Sequence, residues 1–193
     1  SGDMPDIFMA RGGGKLADVV DAGAVKDLSD LISDDVRTDY GDAVFSAFTI
    51  DGATYGLPVS VLPGGIFYSQ DLFADAGVTE TPATMDELVD TVGALESTGV
   101  EPIALGAMDA WPAAHWYYFF ALRQCSQDVM ASAAETRSFD DDCWLAAAED
   151  LSEFIETEPF NQGFLTTAAQ QGAGSSAGLI ANHQASMELM GAW

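Results

Sequence analysis

Residues 81–107, "TPATMDELVDTVGALESTGVEPIALGA", constrain the fold more than any other part of the chain. Thr84 is followed three residues later by Glu87, the spacing of a helix capping box. Apolar residues then recur at helical intervals. They are Met85, Leu88, Val89, Val92 and Leu95. The short apolar run 101–107 follows directly and is typical of a buried strand. A helix that leads straight into a buried strand predicts an α/β fold.

The remaining segments continue this alternation of extended and helical patterns. Extended segments are predicted at 5–10, 54–61, 64–69 and 101–107. Helices are predicted at 11–23, 81–99, 111–123 and 139–156, the first ending at Gly23. In the last helix the predicted buried stripe is Trp144, Leu145, Ala148, Leu151, Phe154 and Ile155. The order predicts a mostly parallel sheet. Because the strand at 5–10 would begin almost at the first residue, we expect this sequence to be a piece of a longer protein.

The charge balance excludes several classes of partner. Asp and Glu number 31 against 6 Lys and Arg, a formal net charge of -25. Nucleic acids and anionic membrane surfaces are bound through basic patches, which this chain lacks. The acidic residues do not form the spaced D-x-D-x-D-G loop that binds calcium. We therefore interpret the acidity as a solvated surface and expect neither a metal nor a cofactor.

Cys125 and Cys143 leave two readings open. Neither has a second Cys or a His at metal-binding spacing, so zinc is not expected. In an exported protein the two would form a disulfide, and otherwise they would be two buried thiols.

Two motifs suggest catalysis or phosphate binding only weakly. Ser176 lies in a formal G-x-S-x-G match at 174–178, with His115 or His183 as a base. A hydrolase elbow needs a strong apolar strand before the serine, and "TTAAQQGA" is polar and small. The run "RGGGK" at 11–15 lacks the ending of a phosphate loop. It predicts either a backbone that meets a ligand or a tight turn alone.

Aromatic residues indicate a different kind of site. The run "WYYFF" at 116–120 covers every face of a helix, so at least half of it should be core. Trp111 precedes Pro112 and is predicted in the loop after the strand at 101–107, where ligands of open α/β sheets bind. Together with Asp109, its ring suits a sugar: the ring faces C–H groups and the carboxylate accepts hydrogen bonds from hydroxyls. Trp193 is either a second platform or a plug in the core.

Three segments resemble a known family. They are residues 5–32, 51–106 and 182–193, and they include G-x-x-Y-G-L-P from Gly52, "FYSQDLFADAG", "TPATMDEL" and the closing "SMELMGAW". They are similar to the family 1 extracellular solute-binding proteins of carbohydrate ABC importers, the family of maltose-binding protein.

This resemblance implies an α/β fold of two lobes, the type II periplasmic-binding-protein-like fold, incomplete here at both ends. Residues 1–61 would be part of the first lobe with the approach to the hinge, and residues 62–193 the second lobe. Such proteins are exported, periplasmic or anchored as lipoproteins. They capture a sugar between the lobes without chemistry and deliver it to a membrane permease. A binder of peptides or polyamines, or a hydrolase using Ser176 or paired carboxylates, is the alternative.

The resemblance also implies binding residues. Met9, Arg11 and Gly12 would lie at the edge of the cleft in the first lobe. Ser60 and Leu62 would lie near the ligand at the hinge, Asp109 and Trp111 on the wall of the second lobe, and Trp193 in the cleft. Relatives often carry an aromatic or acidic residue where this chain has Met9 and Leu62.

Overall fold

The computed structural model describes residues 5–193, which divide into two compact units. Unit 1 ends at Val61, and unit 2 is Leu62–Trp193. The sequence predicts a boundary between two lobes at the same residues, and the assignment of the units to lobes stays a prediction.

Unit 1 contains short helices and one hairpin. Its elements are α1 (Gly14–Asp21), a 3₁₀ turn (Ser29–Leu31), α2 (Asp34–Tyr40), α3 (Asp42–Ser46), β1 (Thr49–Ile50) and β2 (Ala53–Thr54). The first helix is confirmed, and Gly23 follows its end with φ 63°. Strands β1 and β2 pair antiparallel across Asp51 and Gly52, which both have positive φ. Such a turn fits the twist of a two-residue hairpin.

Two extended segments predicted for unit 1 are not strands. Residues 5–10 form no strand and are exposed, with Ile7 90% exposed. Of residues 54–61, only Thr54 belongs to a strand. A strand needs a neighbour that takes up its backbone hydrogen bonds, and none of the described strands pairs with residues 5–10 or 55–61. Apolar residues are present in both segments, but an apolar segment forms a strand only if another strand pairs with it.

Unit 2 is built on a three-stranded mixed sheet. Its elements are β3 (Gly64–Tyr68), α4 (Gln70–Asp75), α5 (Met85–Glu96), β4 (Glu101–Ala104), a 3₁₀ turn (Ala107–Asp109), α6 (Trp111–Gln124), α7 (Gln127–Thr136), α8 (Asp142–Glu156), a second 3₁₀ turn (Phe164–Thr166), α9 (Ser176–Ala181) and β5 (Ala185–Gly191). The strand order is β3-β5-β4. Strand β4 runs parallel to the central β5, whereas β3 runs antiparallel to it. The prediction of a mostly parallel sheet is therefore wrong, because β3 and β5 are distant in sequence and no local pattern fixes their direction.

The core of unit 2 lies between one face of the sheet and helices α5, α6 and α8. The capping box of Thr84 and Glu87 is present at the start of α5. Leu88, Val92 and Leu95 of this helix are buried, as predicted. They belong to one cluster with residues of the sheet and of the other helices. It includes Ile103, Leu105, Trp116, Phe120, Phe154, Phe160, Met187 and Leu189.

Helix α8 confirms only half of its predicted stripe. Trp144, Leu151 and Phe154 pack against the core cluster. Leu145 and Ile155 are 62% and 40% exposed, and Ala148 is exposed as well. The helix packs mainly against α6, so the face that it buries is narrower than its apolar pattern.

Cys125 and Cys143 are joined by a disulfide. Their Cα atoms lie 5.1 Å apart, at the end of α6 and in the first turn of α8. Of the two readings that the sequence left open, the structure contains the bridge.

Candidate functional site

One face of helix α6 points away from the core and carries aromatic rings. Trp111, His115 and Tyr118 follow one another at intervals of four and three residues, which places them on the same side of a helix. Trp111 is 38% and Tyr118 is 55% exposed. Trp116 and Phe120 point the other way and are buried, as expected for part of the "WYYFF" run.

Trp193 completes this surface, although it is distant in sequence. Its ring centroid lies 5.9 Å from that of Trp111 and 6.2 Å from that of His115. His115 contacts Trp111 and Tyr118 edge to face, at 5.6 Å and 6.1 Å between centroids. We call the four residues Trp111, His115, Tyr118 and Trp193 the aromatic face. Our sequence reading missed His115 as a member, although its spacing from Trp111 was a sufficient signal.

The position of Trp193 depends on a glycine. Trp193 is 57% exposed, so it is not a core plug. A Cβ atom built on Gly191 would overlap three atoms of the Trp193 ring. The indole therefore lies directly against the backbone at the end of β5. The N–H of Ala192 also donates to the carbonyl of Pro63 (2.9 Å), which holds the chain between the glycine and the tryptophan.

The two tryptophans come from the same edge of the sheet. Trp193 follows the carboxyl end of β5, and Trp111 follows that of β4, which runs parallel to β5. This is the edge at which open α/β sheets bind ligands. The sequence predicts Trp111 both at the start of the helix 111–123 and in the loop before it, and the structure agrees with the helix. Trp111 is the first residue of α6, because Pro112 is well tolerated in the first turn of a helix.

Asp109 holds the turn that leads into this helix. Its Oδ2 accepts a hydrogen bond from the N–H of Ala169 at 2.7 Å. Asp109 is itself exposed and lies two residues before Trp111. The carboxylate therefore has a structural contact, and its role as a ligand of the sugar stays a prediction.

The other predicted binding residues stay predictions as well. Met9 is 79% exposed, and Arg11 and Ser60 are exposed in unit 1. Gly12 lies so close to Ala47 that a Cβ would overlap the Ala47 carbonyl, which favours the tight-turn reading of "RGGGK". Leu62 begins unit 2 and is 50% exposed.

Ser176 does not occupy the exposed position that a nucleophile needs. It is fully buried at the start of α9, where no substrate reaches its hydroxyl. Its Oγ lies 3.0 Å from the carbonyl of Ala169 and 2.6 Å from Oε1 of Glu188. Burial raises the pKa of Glu188, and the hydrogen bond with Ser176 opposes this shift only in part. The burial of Ser176 and its hydrogen bonds therefore argue against the serine-hydrolase interpretation at this residue.

Two cavities of unit 2 lie away from the aromatic face. One, of about 350 Å³, is open and is lined by polar and acidic side chains such as Ser132 and Asp141, with Trp144 beside them. The other, of about 240 Å³, is lined mainly by apolar side chains such as Ile66, Met85 and Phe119, with Arg123 beside them. It contains none of the aromatic face. Within residues 5–193, His, Cys, Asp and Glu do not gather in groups of three or more that could hold a metal ion. In the same residues, no helix combines the length and the apolar character needed to cross a membrane.

Comparison with known proteins gives the family. The model of the bacterial extracellular solute-binding protein family matches residues 1–193, so the chain belongs to this family. Its neighbours among solved structures are two-lobe solute-binding proteins. The α/β fold class inferred from the sequence is thereby confirmed.

This chain covers only part of the length of each relative. The diacetylchitobiose binding protein of Streptomyces coelicolor is 29% identical over 161 residues, 82% of this chain and 34% of that protein. A structure solved in work on xylan utilization by Caldanaerobius polysaccharolyticus has a TM-score of 0.81 at 28% identity, covering 97% of this chain and 47% of the other. A chitin oligosaccharide binding protein has a TM-score of 0.75 at 25% identity, covering 95% and 45%. This chain thus spans less than half the length of these relatives.

Proposed function

We propose that this chain is the sugar-capturing part of a solute-binding protein of an ABC importer, and that the aromatic face is where unit 2 holds the sugar. The observation that supports this most directly is the exposed pair of Trp111 and Trp193, 5.9 Å apart between centroids. Large rings are usually withdrawn from water, and two exposed together are typical of a binding surface.

The chemistry of the aromatic face fits a neutral saccharide. A pyranose has an apolar C–H side that stacks on an indole and hydroxyls at its rim that need hydrogen-bond partners. His115 and Tyr118 supply polar atoms beside the two indoles. A neutral ligand is not repelled by the net charge of -25.

The relatives support the same class of ligand. Proteins named for binding diacetylchitobiose and chitin oligosaccharides are among those similar to this chain. We infer an exported protein that captures an oligosaccharide outside the cytoplasm, returns it unchanged and delivers it to permease subunits in the membrane. Anchoring as a lipoprotein is part of this proposal.

The first test is isothermal titration of the 193-residue chain with a panel of xylo-, chito- and galacto-oligosaccharides. Trp111→Ala and Trp193→Ala should each weaken binding about tenfold or more, because each removes a ring surface from the face. Phe139→Ala is the matched control, since Phe139 is 63% exposed in unit 2 and lies outside the aromatic face. Wild-type affinity in both tryptophan variants would contradict the site.

A second variant tests the geometry without removing any ring. Gly191→Ala leaves Trp193 in the chain but places a methyl group where its ring lies. We expect a loss of affinity comparable to that of Trp193→Ala. If Gly191→Ala binds like the wild type, the observed position of the indole is not the one that holds the sugar.

A polyamine is the second candidate ligand. The excess of acidic residues attracts cations, and indole faces bind ammonium groups. A thermal-shift screen with the saccharides and spermidine separates the two, because only a ligand of the native state raises the unfolding temperature. A shift with spermidine alone would replace the sugar by a cation in this proposal.

A further inference from the structure

The peptide unit between Ala168 and Ala169 is bonded at both of its ends. Its carbonyl accepts a hydrogen bond from the N–H of Ser176 (2.9 Å), and its N–H donates to Oδ2 of Asp109 (2.7 Å). Ala169 is 1% exposed, and a Cβ on Gly106 would overlap its backbone. The turn after β4 and the segment before α9 therefore meet in direct contact, with Asp109 as the polar link.

This link lies next to a strained residue. Ala110 follows Asp109 with φ 60° and ψ -45°, a conformation that an alanine adopts only at a cost. Strained backbone of this kind persists where its surroundings hold it in place. Ala110 is also the residue from which α6 and Trp111 begin. The bond from Ala169 to Asp109 therefore helps to fix the direction in which Trp111 enters the aromatic face.

The hydroxyl proton of Ser176 has two possible acceptors, and one of them is the carbonyl of Ala169. Oγ of Ser176 lies 3.0 Å from the carbonyl of Ala169 and 2.6 Å from Oε1 of Glu188. If Glu188 carries a proton, it donates to Ser176, and Ser176 donates to Ala169, so every group is bonded. If Glu188 is ionised, the hydroxyl proton turns to the carboxylate. The carbonyl of Ala169 then keeps only the longer bond from the N–H of Ala177 (3.2 Å).

We propose that Glu188 is a positioning residue for Trp111, acting through Ser176, Ala169 and Asp109. The neutral acid is the form that completes the chain of hydrogen bonds and secures the turn. This inference rests on the proposed function of the aromatic face and adds a residue that touches no ligand: Glu188 is buried in the central strand β5.

The surroundings of Glu188 favour the neutral acid. Its pKa is raised by burial, and Ser176 is the hydrogen-bonding neighbour that opposes the shift. Register places Tyr68 of β3 opposite Met187 and Glu101 of β4 opposite Ala185, so both project from the other face of the sheet.

On the side of Ser176, Asp109 is the charged group that the hydrogen bonds connect to Glu188, and it lies beyond the Ala169 peptide. Helix α9 and residues 167–175 contain no charged residue. The positioning should therefore be complete at low pH and be lost as pH rises through the raised pKa of Glu188.

The test compares pH profiles of the 193-residue chain and three variants. Saccharide affinity of the wild type should fall about three- to tenfold as Glu188 ionises. Glu188→Gln keeps a donor toward Ser176 and should hold its affinity across that range. Ser176→Ala should show, at every pH, the weaker saccharide affinity that the wild type has when Glu188 is ionised. Ser186→Ala is the matched control: Ser186 is fully buried on the same face of β5, and its hydroxyl has no partner among the described residues.

A second readout does not depend on any ligand. In ¹⁵N spectra, the Ala169 amide and the Trp111 indole N–H should shift as Glu188 titrates in the wild type and lack that step in Glu188→Gln. Asp109 and His115 are present near these groups in both proteins, so the comparison of the two proteins isolates Glu188. A step of equal size in both proteins, or no step in the wild type, would overturn the inference. Failure of all saccharides to bind, with the spectral step present, would instead reject the proposed function alone.

Discussion

Unit 1 and unit 2 contain the same kinds of apolar sequence pattern but bury them to very different extents. In the described part of unit 1, Leu16, Phe45 and Pro58 are the apolar side chains that are buried, while Ile7 and Val59 stay 90% and 69% exposed. In unit 2, one continuous cluster joins α5, α6, α8 and the sheet. This difference shows that an apolar sequence pattern is buried in a core only where a second apolar surface packs against it. In unit 2 that surface is the sheet.

The largest difference between the units is expected when a buried apolar side chain is truncated in unit 2 and an exposed one in unit 1. Leu95→Ala should lower the free energy of unfolding by about 4 kcal/mol, because Leu95 is fully buried and its loss leaves a cavity. Leu57→Ala is the same change in unit 1, at a side chain that is 51% exposed, and should cost less than about 0.5 kcal/mol. Urea unfolding followed by circular dichroism measures both. Equal losses would show that exposure does not separate the two units.

The disulfide is the second difference between the units. It joins α6 to α8 across 18 residues, and unit 1 has no cysteine. Replacing Cys125 and Cys143 by Ala should lower the free energy of unfolding of unit 2 by about 3 kcal/mol, since the unfolded chain regains the freedom that the bridge removes. All four tryptophans lie in unit 2, so their fluorescence reports this transition. Reductant should weaken the wild type and leave the double variant unaffected; the same sensitivity in both would contradict this account.

The smallest effect compares one glycine from each unit. Gly52 has φ 81° in the hairpin of unit 1, so Gly52→Ala should cost about 1 kcal/mol. Gly93 lies inside α5 with open space around it, so Gly93→Ala should stabilise unit 2 by up to about 1 kcal/mol. Hydrogen exchange of the Tyr55 amide, which donates to Phe48 in unit 1, reads the first effect, and tryptophan fluorescence reads the second. If both substitutions stabilised or both destabilised the protein, the explanation from the backbone conformation of the two glycines would be contradicted.

The sequence predicted what short-range patterns determine. The capping box and stripe of α5 and the inward side of α6 are as expected, because each depends on residues within a few turns of one another. The buried strand predicted at 101–107 is present but shorter, as β4 ends at Ala104. The hairpin β1–β2 was missed although its Asp51–Gly52 pair is a known signal for such a turn. The direction of β3 depends on β5, more than a hundred residues away in the chain, and no local pattern contains it.

The candidate site was predictable to a similar degree. Trp111 and Trp193 were singled out from position and from the family resemblance, and the structure places their rings side by side. His115 could have been added from its spacing. The partner of Asp109 could not, because Ala169 lies 60 residues away and offers only a backbone N–H, which no side-chain motif reveals.

The contact between Gly191 and the Trp193 ring also restricts how this sequence can change over generations. While the indole stays in place, every residue other than glycine at position 191 puts atoms into the ring. Position 193 can exchange one flat ring for another with the glycine unchanged, but position 191 becomes free to vary only after the ring has gone. Descendants that keep glycine without the tryptophan are therefore accessible in one step, whereas those that keep the tryptophan without the glycine must first rebuild the end of β5.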